Sequence, residues 1–154
     1  MKRSKRLVPV VNIATKATES ALVEMGKANA TWLKEKQQLE ELQHYKLDYL
    51  NRFRQGDAAV MSAQKIVELR GFLTQLDQTI QVQQHQVEIA YQQLERTRSI
   101  WQQTRSKEQV MQSLVERYHQ EEIQIALKQE QKMSDEHTAI QWRHGSNTGA
   151  YRND

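Results

Sequence analysis

Apolar residues return along this chain at alternating steps of four and three. The first series runs Leu7, Val11, Ala14, Thr18, Ala21, Met25, Ala28, Trp32, Glu35, Leu39, Leu42, Lys46, Tyr49 and Phe53, with only Thr18, Glu35 and Lys46 polar. After an interruption around Gly56-Asp57, a second series takes in Ile66, Leu69, Leu73, Leu76, Ile80, Gln83, Val87, Ala90, Leu94, Thr97, Trp101, Thr104, Glu108, Met111, Val115, Tyr118, Glu122 and Ile125. A mean step of 3.5 residues keeps one narrow stripe of a helix facing a partner along a left-handed supercoil. The pattern predicts an all-α chain: a long antiparallel two-helix coiled-coil hairpin.

Local signals set the expected boundaries. Pro9 suits a first helical turn, where its missing N–H is not needed, so the first helix is expected over about 9–54, preceded by a basic arm at 1–8. Gln55-Gly56-Asp57 breaks it, with a loop over about 55–61, and Ser62 is the expected N-cap of a second helix over about 62–141. The hairpin is expected to span 9–144. Gly71, inside the second helix, costs about 1 kcal/mol relative to alanine and marks a place for a kink or a close contact. Residues 145–154, rich in Gly, Ser, Asn and Thr, read as a disordered tail.

A connection of about seven residues folds the second helix back on the first. With the turn centred between 58 and 59, residue i faces roughly residue 117 minus i, so Leu39 falls near Gln78 and Leu7 near Val110. The second helix then overhangs the first by some thirty residues, roughly 45 Å. An isolated helix is stabilised mainly by burying an apolar face, and Met111, Leu114, Val115, Tyr118, Ile123, Ile125 and Leu127 give the overhang such a face without an intramolecular partner. Homodimerisation, a differently placed turn, or docking into another protein would each cover it.

Composition narrows the chemistry. Of 154 residues, 38% are hydrophobic and 27% charged, too little to wrap a thick core, and the 22 glutamines crowd between Gln75 and Gln93 without disturbing the apolar period. There is no cysteine, so disulfides and thiolate metal sites are excluded. No apolar run approaches the roughly 18 residues that span a bilayer, and Pro9 and Asn12 interrupt what would be a signal sequence. A soluble cytosolic chain without direct membrane insertion is expected. Lys2, Arg3, Lys5, Arg6 and Lys16 contribute +5 within the first sixteen residues and the remaining 138 give −2, for a net +3. This N-terminal basicity opposes a helix macrodipole and leaves open solubility or contact with an acidic protein surface, anionic lipid or nucleic acid.

No catalytic constellation emerges. His119 and Glu122 share a face at i and i+3, but two ligands make no metal site. The pairs Glu40-Glu41, Glu121-Glu122 and Asp135-Glu136 diverge around a helix and read as solvated faces. No phosphate loop, nucleophile elbow or His-Glu helix motif is present, so neither an enzyme nor a cofactor is expected. Trp32 and Trp101 lie on the seam, where a large ring is expected to spread the helices; Trp142 lies beyond it, as a partner anchor or part of a loose terminus. Only four basic residues precede Pro9, unlike a DNA-binding zipper, so no nucleic-acid partner is expected.

Two segments resemble a known family. Met61-Ser62-Ala63 followed by Phe72-Leu73-Thr74-Gln75-Leu76-Asp77-Gln78-Thr79-Ile80 is similar to the start of the second helix in the bacterial flagellar export protein FliJ family, and Glu130-Gln131-Lys132-Met133-Ser134-Asp135-Glu136 to its C-terminal pattern. Trp101, the Leu114-Val115-Glu116-Arg117 run, and Tyr45 with Tyr49 fit the same layout, so the resemblance covers most of residues 7–140. It implies a non-enzymatic central stalk of a hexameric export ATPase ring. The partners implied are that ATPase and its regulator, the cytoplasmic part of the membrane export gate, and export chaperones, with the chain peripheral to the inner face of the cell membrane at the flagellar base. The family's gate-contact stripe maps onto Phe72, Leu76, Thr79 and Gln83, departing from the commoner small apolar residue at Thr79 and the histidine sometimes found at Gln83. Phe72, off the seam, reads as an exposed partner anchor. Met111, Val115, Tyr118 and Ile125 fall on the ring-contacting portion. A virulence type III secretion stalk and a self-associating coiled-coil scaffold are the alternatives.

Overall fold

The computed structural model describes residues 2–55 and 62–149. They form two helices, α1 (Arg3–Gln55) and α2 (Ala63–Gly149), packed as a helical hairpin. All fourteen seam positions expected in the first helix are buried or half-buried, and in the second only Ile66 and Ile125 are exposed. The period-3.5 stripe is the core.

Helix boundaries depart from the expected ones at both outer ends. The first backbone bond of α1 runs from Arg6 N–H to the Lys2 carbonyl, so the segment read as a basic arm is helical, and Pro9 sits inside α1 rather than in its first turn. At the other end α2 continues to Gly149, so the tail expected from 145 is helical to that residue; residues 150–154 lie outside the described residues. The expected Gly56-Asp57 break also lies outside them. The Ser62 cap is present: Lys65 N–H donates to Ser62 Oγ at 3.3 Å, satisfying one orphan donor of the first turn of α2.

Contacts divide the helices into two units, one Lys16–Arg105, the other pairing α1 up to Thr15 with α2 from Ser106. In the first, Ala21, Ala28, Leu76, Ile80, Ala90, Leu94 and Thr97 are buried. Trp32 meets Tyr91 with ring centroids 6.0 Å apart, which brings Trp32 about level with Ala90 and Ala21 about level with Trp101. Polar seam members are paired: the Gln83 amide donates to the Glu35 carbonyl at 2.9 Å and to its carboxylate at 2.6 Å, and Lys46 pairs with Asp77. The half-buried Gln83–Glu35 pair favours this register, since a slip would leave its groups facing apolar neighbours, whereas Lys46–Asp77 is exposed to solvent and adds little.

Several contacts are offset by about six residues from 117 minus i, while the Gln83–Glu35 pair falls within one residue of it. Trp32 meets Tyr91, Lys46 meets Asp77 and, in the other unit, Thr15 Oγ1 donates to Glu108 at 3.4 Å. Leu7 lines a groove with Leu114 and Tyr118, while Val110, its expected neighbour, is exposed. Side chains lean toward their own helix N-terminus, away from the turn on α1 and toward it on α2, which accounts for about two of those six residues.

Gly71 shows no close contact: a Cβ built there, or at Gly26, meets nothing within 4 Å. With neither residue at positive φ, both glycines only add freedom to the unfolded chain. Gly26→Ala and Gly71→Ala should each raise unfolding free energy by about 0.5–1 kcal/mol in urea denaturation, adding in the double variant.

Candidate partner-docking surfaces

The unit holding the start of α1 has little apolar interior; among its described residues only Ser4 is buried, at 8% exposure. Ser4 Oγ donates to Glu122 Oε2 at 2.6 Å and Ser4 N–H donates to Glu122 Oε1 at 3.2 Å. That N–H belongs to the first turn of α1 and has no intrahelical acceptor. A carboxylate from α2 thus caps α1 at the positive end of its macrodipole, which explains why the helix reaches Arg3 despite Lys2, Arg3, Lys5 and Arg6. Beside this clasp the Arg3 guanidinium lies 5.7 Å over the Tyr118 ring.

Glu122's carboxyl is held below its ordinary 4.5, chiefly by the Ser4 hydroxyl; burial opposes the shift, while Ser4 N–H and the charges of Lys2 and His119 support it. A carboxyl lowered by folding contributes stability that is full above the ordinary value and is lost as pH falls through the lowered one. Amides of the first turns of α1 should therefore lose exchange protection as the solution is acidified below 4.5. In a Glu122→Gln variant, that step should vanish from the pH profile recorded by NMR.

This cap moves the start of the overhang. Met111, Val115 and Tyr118, expected on an uncovered strip, are half-buried beneath α1, and the uncovered part begins after Glu122. From Ile123 to Ser146 every side chain is exposed, and residues 123–149 amount to roughly 40 Å of helix. Ile125 stands where expected, 57% exposed, and Met133 and Ile140 follow on the same side at spacings of eight and seven; Ile123 and Leu127 occupy another side. Trp142 is 76% exposed, the largest value among the exposed large apolar residues.

The Phe72–Gln83 stripe is largely engaged within the hairpin. Leu76 is buried and Gln83 is bonded to Glu35. Phe72 is not the exposed anchor expected from its off-seam position: Tyr49 packs on it at 4.6 Å between centroids and Tyr45 at 6.3 Å, leaving it half-buried. Thr79 is exposed, with its hydroxyl donating to the Gln75 carbonyl. Among the described residues no group of three or more His, Asp or Glu is placed to hold a metal ion, and neither helix is long and apolar enough to cross a membrane.

The family model described as "Flagellar FliJ protein" matches residues 3–147. Neither the curated proteins nor the solved structures contain a significant match to this chain.

Proposed function

Since the chain belongs to the flagellar FliJ family and is thereby a flagellar export-related protein, we propose that it is the non-enzymatic central stalk of the export ATPase ring. The observation that carries this reading is the exposure of Ile125, Met133, Ile140 and Trp142 on a stretch of α2 that α1 does not cover among the described residues. Apolar side chains at this density on one element mark a protein-docking site. In this reading the hexameric ATPase, with its regulator, receives that end, and hydrolysis takes place on the ATPase.

Contact with the cytoplasmic part of the export gate falls to the accessible edge of Phe72 and to Thr79, because Leu76 and Gln83 are committed to the seam. Chaperone escort would use exposed faces of the same helices. A stiff hairpin touching ring and gate would pass nucleotide-driven changes to the gate while staying peripheral to the membrane. Family membership supports the flagellar system over a virulence secretion system. Deleting the gene should stop secretion of flagellar subunits and swimming, both restored by the full chain in trans; normal secretion in the deletion strain would refute the reading.

A further inference from the structure

We propose that the first two turns of α1, Arg3 to Val8, form a displaceable latch over Leu114, Val115 and Tyr118, hinged at Pro9 and fastened by the Ser4–Glu122 pair. This rests on the docking role given above to the same end of the molecule, and it assigns that site a regulation.

The latch segment has little helical stability of its own. Lys2, Arg3, Lys5 and Arg6 crowd the positive end of the macrodipole, and the first acidic residue of the chain is Glu19. A stretch this short does not hold a helix in isolation. Pro9 lacks the N–H that would reach the Lys5 carbonyl, and its ring crowds the same group, so the helix is weakest where the latch joins the rest of α1.

Three contacts hold it down, all to α2 between Leu114 and Glu122. Ser4 gives both its donors to one carboxylate, at 2.6 and 3.2 Å. Arg3 lies over Tyr118, and Leu7 lines a groove with Leu114 and Tyr118. Apart from Leu7, and Val8, which lines a groove with Val115 and Ile123, the fastening is polar and charge-assisted, and water or an acidic partner can replace it at small cost. The covered residues are apolar, and the gain from burying them against a partner is larger. Lifting the latch joins Leu114, Val115 and Tyr118 to the already exposed Ile125 as one strip.

The chain has no cysteine, so Ser4→Cys with Glu122→Cys gives a unique pair for a reducible bismaleimide bridge. Bridged full-length protein should bind the purified flagellar export ATPase at least about tenfold more weakly than wild type, because closure removes the binding-competent population, and cleaving the bridge should restore or exceed wild-type affinity. Equal affinity before and after cleavage overturns the latch and leaves ring docking intact. If wild type does not bind the ATPase, ring docking fails and hydrogen exchange decides the latch. Leu7 and Val8 amides should then exchange at least about tenfold faster than those of Ala21 to Ala28, and faster again in Glu122→Ala. Uniform protection from Leu7 through Ala28 would overturn it.

Discussion

Replacing Ile125, Met133 and Ile140 together with glutamine is expected to abolish flagellar subunit secretion while leaving the unfolding transition of the hairpin in place. All three are more than half exposed and none belongs to the buried seam. Substitutions at such positions change stability by about 0.5 kcal/mol or less each, and glutamine keeps the helix propensity of methionine and nearly that of isoleucine. Each apolar side chain buried in an interface contributes about 1.5–3 kcal/mol, so losing three weakens binding by roughly a thousandfold or more. Urea denaturation and secreted flagellin measured on the same variant separate the two effects. Val115 and Tyr118 are poorer targets, because they are half-buried under α1 and their loss would also loosen that end.

The second large effect lies in the seam. Leu94→Ala should lower the unfolding free energy by about 2–5 kcal/mol, a large share of the 5–15 kcal/mol typical of a domain this size. Leu94 is the most buried of the core side chains, at 3% exposure, and its neighbours on the seam, Ala90 and Thr97, are too small to collapse into the space it leaves. Val82→Ala, on the exposed side of α2, should change stability by about 0.5 kcal/mol or less. Equal costs at the two positions would mean that the four-three stripe is not the core.

The stripe was fully readable in the chain because its signal is a period, to which every residue from Leu7 to Phe53 contributes. The same step extends back to Ser4, three before Leu7, but a serine gives no apolar signal, and its role depends on a carboxylate 118 residues away. Pro9 accordingly read as the helix start. The overhang was legible as a surplus of helix but misplaced, since its origin depends on the Ser4–Glu122 pairing and on the lean of side chains across an antiparallel pair. Phe72 differs from its off-seam expectation for a related reason: off-seam position implies exposure only when no neighbour reaches over, and Tyr45 and Tyr49 do. Glu35 and Gln83 stand as polar interruptions of the apolar series, and in the hairpin they bond each other across the seam.

The central claim is that the uncovered end of α2 is held by the export ATPase. Site-specific photo-crosslinking in cells tests it most directly, with a photoreactive residue at Ile125 or Met133 and, for comparison, at Leu47, which is equally exposed in the other unit. The account predicts adducts with the ATPase from positions 125 and 133 and none from 47. Adducts from 47 with none from 125 or 133 would contradict it.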